Sequence, residues 1–312
     1  MSTRNTLIIS ALLAVVTACD QHKSRQGAVT KMDDALPVVY AVNYPLEYFA
    51  RRIGGHEIKV VFDAPKDVDP AFWQPTDDQI ASMQNAGLIL MNGASYSKWA
   101  DKASLPEAKV LDTSSAFQGK FIVMKNAVSH SHGKQGEHSH DGISFTTWID
   151  FQQAIMQADA ICEACKSLKP NAEAVEQFAL NFDAIKIDLL ALDTRMLDVG
   201  KKLAGRPVVA SHPVYHYWAR RYGINLQTVL WEPEEVPTEA QIEDLKKILA
   251  AHPAKLMIWE GEPAKESVEK LKALGLDSVV FSPCANSPAT GDFLSVMRDN
   301  VAAMEKMASP VL

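Results

Sequence analysis

Residues 171–204 read NAEAVEQFALNFDAIKIDLLALDTRMLDVGKKLA, with apolar side chains at Val175, Phe178, Phe182, Ile185, Leu189, Leu192, Met196, Val199 and Leu203. Steps of three and four residues alternate without a break, which is the period of one face of an α-helix. No proline interrupts the run, and Gly205-Arg206-Pro207 stops it. The spacing predicts one helix of about 30 residues, roughly 45 Å long at 1.5 Å per residue. A coiled-coil dimer uses the same spacing. However, Ile187, Leu190 and Leu197 widen the stripe beyond a two-helix seam, which favours packing on the same chain.

Outward from this helix, extended and helical patterns alternate. On the amino-terminal side, 37–43 (PVVYAVN), 57–62 and 88–91 read as strands, with 109–111 and 121–124 as further candidates. Helices are expected over 44–53, closed by Gly54-Gly55, and over 76–85, with Thr76 as the N-cap. On the carboxyl-terminal side, strands at 207–210, 226–230, 255–259 and 278–281 alternate with helices at 214–222, 238–251 and 265–274, and 292–307 forms a last helix. The expected fold is α/β: two lobes with mainly parallel sheets joined by one long linker helix. The lobes are read as 37–170 and 205–312, with the linker at 171–204. A ligand is expected in the cleft between them, at the carboxyl ends of the strands.

The first 36 residues stand apart from this rhythm. Arg4 precedes an apolar run at 7–16, too short to span a bilayer, and Val16-Thr17-Ala18-Cys19 follows. Small residues leading into a cysteine resemble a bacterial lipobox, so 1–19 reads as a lipoprotein signal peptide and Cys19 as the lipidated residue. Residues 20–36 are polar and mixed in charge, a tether between membrane and fold. The expected location is periplasmic, lipid-anchored to the membrane. Hydrophobic content of 47% and charged content of 22% are those of a globular protein, and a net charge of −7 argues against nucleic acid. Cys162 and Cys165 form a C-x-x-C within a helical pattern, read as a core pair or one local disulfide.

The loop at 129–141, SHSHGKQGEHSHD, gathers His130, His132, His138 and His140, four of the nine histidines in the chain. Neutral imidazole is the commonest side-chain ligand for zinc and its first-row neighbours, so a loop carrying several of them captures metal.

In their order and spacing, several segments resemble the substrate-binding proteins of bacterial zinc and manganese ABC transporters. They are VNYPLEYFARRIGG, DVDPAFWQPTDDQI, AGLILMNGASYSKW, the histidine loop before TTWID, the long helix, SHPVYHYWARRYGI, WEPEEVPTEAQI, MIWEGEP and GDFLSVMRDN. The resemblance implies a metal site between lobes whose movement one long helix limits, and delivery to a permease in the inner membrane; the chain itself is read as a monomer. It also exposes a departure. The family's first-lobe histidine after Asp-Pro is Ala71 here, and its histidine before the Trp-x-Asp motif is Thr146. The third position is kept as His212, and the fourth, a carboxylate, falls near Ser282 or Pro283. Glu260 corresponds to a family glutamate near the cleft that is not a usual ligand.

Three arrangements answer this departure. In the first, the loop histidines fold into the cleft and complete a zinc site with His212 and Glu260; manganese or another divalent ion is the alternative. In the second, the loop is the only site and the protein is a periplasmic zinc buffer or chaperone. In the third, Phe72, Trp73, Tyr215, Trp218 and Trp259 line an aromatic pocket for a small organic ligand or metal chelate. His216, four residues past His212, shares its helix face in this reading and takes a core or supporting role. Glu260 and Glu262 flank Gly261 as a ligand-orienting or a solvated loop pair, Cys284 is an isolated buried cysteine or a soft donor near the missing carboxylate, and His22, His56 and His252 occupy the tether or surface turns without a role. No H-E-x-x-H, G-x-S-x-G or P-loop pattern supports catalysis, so the chain reads as a binding protein and not an enzyme.

Overall fold

The computed structural model describes residues 36–124, 129–131, 137–139 and 142–309. The amino-terminal lobe begins with β1 (Val38–Ala41), α1 (Tyr44–Gly54), β2 (Lys59–Val61), α2 (Asp77–Asn85), β3 (Leu88–Met91) and β4 (Val110–Asp112). The four strands form one parallel sheet in the order β2-β1-β3-β4. Its helices start where side chains satisfy exposed amides. The Asn43 side chain accepts from the Leu46 amide, and Thr76 and Gln79 form a reciprocal capping box.

After the sheet, β5 (Val123–Met124) pairs antiparallel with β8 (Gly142–Ile143), and between them β6 (Ser129–Ser131) pairs antiparallel with β7 (Glu137–Ser139). The helices α3 (Phe151–Leu168) and α4 (Ala172–Leu203) follow. The second lobe repeats the first plan. It comprises β9 (Pro207–Ala210), α5 (His216–Tyr222), β10 (Asn225–Thr228), α6 (Glu239–Ala251), β11 (Leu256–Trp259), α7 (Lys265–Ala273), β12 (Asp277–Val280) and α8 (Phe293–Ala308). Its sheet is parallel, in the order β10-β9-β11-β12.

The long helix α4 packs against α1 and α3 of the first lobe and against α5 and α8 of the second. Its buried side carries Phe178, Ile185, Leu189, Leu192, Met196, Val199 and Leu203, the stripe read from the sequence. The widening of that stripe is corrected. Ile187 is 68% and Leu190 39% exposed, so of the three flanking residues only Leu197 packs on the core. Hydrogen bonds to the buried Asp193 hold α4 to both lobes at once. Asp193 accepts both Nε and Nη2 of Arg221, at 2.7 and 2.6 Å, and the Tyr222 hydroxyl at 2.9 Å, all from α5. It also accepts from Gln152 at the start of α3, at 2.9 Å.

Candidate metal centre

Three neighbouring parallel strands of the second sheet end at one place. Ala210 closes β9 and His212 stands two residues beyond it; Trp259 closes β11 and Glu260 follows directly; Glu232 lies past the end of β10. Backbone bonds continue beyond the strands and fix these extensions. The Ser211 amide donates to Ile258 (2.8 Å), that of Val229 to Ala210 (2.9 Å) and that of Trp231 to Ser211 (2.9 Å). The strand ends therefore carry their polar side chains into a shared cleft, as expected of open α/β sheets.

The His212 ring is only 2% exposed, with Nδ1 3.1 Å from a Glu260 oxygen and Nε2 3.4 Å from a Glu232 oxygen. One donor atom from each of these three residues lies within 4.8 Å of the other two. Burial works against a charged imidazole here. The carboxylates of Glu260 and Glu232, with Asp69 of the other lobe, outweigh it and raise the His212 pKa above its ordinary 6.5. When protonated, the ring lies between two carboxylates, and a divalent cation can take the place of the proton. The cleft outside it encloses about 480 Å³ and is lined by Asp67, Asp69, Glu232, Glu234 and Glu260, with Lys66 as its one basic residue among those described. Such a surface attracts cations.

The structure brings His212 and Glu260 together and adds Glu232, which the sequence reading did not single out. A signal for it exists: Glu232 follows a parallel strand in the WEPEE segment, at the sheet end where ligands bind. Of the loop histidines, His130 in β6 lies opposite His138 in β7 in the backbone register. His132, His140 and Cys19 lie outside the described residues, as do the signal peptide and nearly all of the tether. The positions read as lost ligands are buried or already bonded. Ala71 and Thr146 are buried, and the Ser282 amide donates to Asn300 Oδ1 at 3.0 Å.

Several other expectations are corrected. Tyr215 and Trp218 are fully buried around Phe281, at ring separations of 5.9 and 5.4 Å. Trp259 packs on Trp231 at 6.1 Å and Trp73 on Trp99 at 6.4 Å. None of the five aromatic residues proposed for a pocket, Phe72 included, lines the cleft. His216 opens α5 while His212 precedes it in the strand-end turn, so the two do not share a helix face. His252 is buried, its Nε2 bonded to the Val208 carbonyl at 2.9 Å, so it is not a surface residue. Cys162 and Cys165 are free, buried thiols, which is the core pair of the two alternatives and not the disulfide. Cys284 is buried at the cleft wall, its thiol pushed up to about 12 by burial and by Asp292.

The profile of the family described as "ZnuA: Zinc-uptake complex component A periplasmic" matches residues 39–307. Among curated proteins, the high-affinity zinc uptake system protein ZnuA of Bacillus subtilis is 23% identical over 266 residues, covering 81% of this chain and 79% of the relative. Among solved structures, the metal-dependent lipoprotein YcdH of Bacillus subtilis superposes with a TM-score of 0.73 at 20% identity, covering 87% of this chain and 98% of its own. The Zn(II)-bound ZnuA-like domain of AdcA from Streptococcus pneumoniae reaches a TM-score of 0.72 at 19% identity, covering 88% of this chain and 99% of its own. At such identities the solved structures speak for the fold.

Proposed function

Because the chain belongs to the ZnuA family of periplasmic zinc-uptake components, we propose that it binds zinc outside the cytoplasm and delivers it to the permease of an ABC transporter. The observation that carries this reading is the buried His212 ring, set between Glu232 and Glu260 at the mouth of an acidic cleft. Imidazole nitrogen and carboxylate oxygen are ordinary zinc ligands, and the same set accepts manganese or another divalent ion. The histidine loop at 129–141 collects the ion and passes it to the cleft. Lipid on Cys19 keeps the protein at the membrane surface beside its permease, and it works there as a monomer. The site serves binding and release, not turnover.

Calorimetric zinc titration of the purified protein tests this reading against two variants, His212→Ala and a deletion of residues 129–140. Loss of the tight site in His212→Ala supports it. Loss on loop deletion alone, with His212→Ala unchanged, turns the protein into a zinc buffer whose cleft does not hold the ion.

A further inference from the structure

The second lobe does not complete a metal site by itself. The two ring nitrogens of His212 face different carboxylates, Glu260 and Glu232. One ion takes only one of these nitrogens, and the other keeps its carboxylate as the partner that orients the ring. That leaves one nitrogen and one carboxylate as direct ligands, whereas a zinc site with an open position uses three protein ligands. A further donor has to come from the other wall of the cleft, where Ala71 supplies none.

We propose that Asp69 is the first-lobe ligand, so that the ion bridges the lobes through a site rich in carboxylate oxygen; this rests on the metal-binding reading above. Asp69 lines the same cleft as Glu232 and Glu260, and its charge reaches His212. It stands outside the group of three donors that lie within 4.8 Å of one another. Its loop is built to hold it there. Asp69 Oδ1 accepts from the Ala71 amide at 2.9 Å, and the Asp69 carbonyl accepts from the amides of Phe72 and Trp73, both at 3.0 Å. The same loop is tied to the second lobe directly beside this residue. Asn286 Nδ2 donates to the carbonyls of Pro65 and Val68, at 2.7 and 2.8 Å. One neutral imidazole and two carboxylates balance a divalent charge. With oxygen in the majority, the site holds manganese less poorly relative to zinc than a three-imidazole site does.

The test is calorimetric titration of the purified protein with zinc and, separately, with manganese. The variants are Asp69→Asn, Asp69→His and His212→Ala. Asn keeps the oxygen that the Ala71 amide needs and removes only the charge. Asp69→Asn should weaken both ions at least about tenfold, the scale of losing even an outer-sphere partner. Asp69→His should restore zinc but not manganese, a change of preference that a purely structural role would not produce. Wild-type affinities in Asp69→Asn, with binding lost in His212→Ala, would overturn the role of Asp69 and leave the cleft site standing. The Asp69 role also falls if Asp69→His weakens zinc and manganese equally. A wild-type protein that takes up neither ion would overturn both.

Discussion

Replacing Gly200 of α4 by alanine sets two effects of opposite sign against each other. Alanine in a helix interior is favoured over glycine by roughly 0.5–1 kcal/mol, so propensity alone predicts a more stable protein. The packing predicts the reverse. A Cβ on Gly200 would stand 3.1 Å from the carbonyl carbon of Tyr222 and closer still to its oxygen, a backbone atom that no rotamer change can remove. To reach ordinary contact, α5 has to move away from α4 by roughly 1 Å or more. Overpacking of this kind costs about 1–3 kcal/mol. The same movement stretches the contacts of Asp193 to Arg221 and Tyr222, 2.6–2.9 Å long across that interface, and hydrogen bonds to charged groups are worth about 1.5–3 kcal/mol. The expected net effect is a loss of about 2–3 kcal/mol. At ~2–4 °C per kcal/mol for a chain of this size, the melting temperature should fall by about 4–12 °C. Differential scanning calorimetry of the metal-free protein reads this directly. Gly119→Ala, where the added Cβ meets nothing within 4 Å, is the control and should stay within about 0.5 kcal/mol of wild type. An unchanged or higher melting temperature for Gly200→Ala would refute the close approach of α4 and α5.

Three further outcomes are expected. Burial alone would raise the Asp193 pKa, but hydrogen bonds from Arg221, Gln152 and Tyr222 hold it below the ordinary carboxylate value. The stabilisation is thus present above the unfolded pKa of ~3.9 and lost as pH falls through the folded one. Asp193→Asn should therefore cost about 3 kcal/mol at pH 7 in urea denaturation, and a gap to wild type that does not narrow toward pH 3 would contradict this. His212 has the opposite sign. Its raised pKa stabilises the metal-free protein below the unfolded pKa, a contribution lost as pH rises through the folded one, while the bound ion needs the ring deprotonated. The gain in melting temperature on adding zinc should shrink steadily from pH 8 to pH 6, and a constant gain would argue against His212 as a ligand. Burial, with Cys162 beside it, pushes the Cys165 thiol up to about 12, and burial with Asp292 does the same for Cys284. A thiol-disulfide reagent at pH 8 should react with Cys162, Cys165 and Cys284 only as fast as the protein opens, and rapid labelling without denaturant would show them accessible.

The fold was legible because its signals are local and long. A period kept through nine apolar positions of α4 leaves little choice, and the buried run at Leu88–Met91 is bounded by an Asn-Gly pair that ends the strand. What the sequence could not convey depends on neighbours. Ile187 and Leu190 carry the right chemistry for a core, yet the elements packed on α4 do not extend to that side of it. His252 has the look of a surface turn, but the Val208 carbonyl lies within reach and draws the ring inward. The aromatic residues near the strand ends pack into the hydrophobic cores rather than the cleft, since their large surfaces are worth most in a dry core. Glu232 is one of three glutamates in its segment, with Glu234 and Glu235, and only the register of β10 against β9 selects the first of them.

That register also explains why the candidate site belongs to one lobe. The two sheets share a strand order, and Ala41 pairs with Leu90 in the first as Ala210 pairs with Ile258 in the second. Two residues further along each strand, the first lobe places Asn43 and Asn92 where the second places His212 and Glu260. Both pairs are in contact, with Asn43 Nδ2 3.2 Å from Asn92 Oδ1 and His212 Nδ1 3.1 Å from Glu260. Their chemistry differs. Asn43 also caps α1, and Asn92 donates to the Phe145 carbonyl at 2.9 Å and accepts from Gln157 at 3.3 Å. These neutral amides are buried and bonded within the lobe, so they lock it without attracting an ion. The His212–Glu260 pair holds charge at a buried place, where a compensating cation gains most. One topology used twice thus yields a rigid, uncharged strand end on one side of the cleft and a cation-seeking one on the other. A ligand from the first lobe has to come from a loop beside that strand end, which is where Asp69 stands.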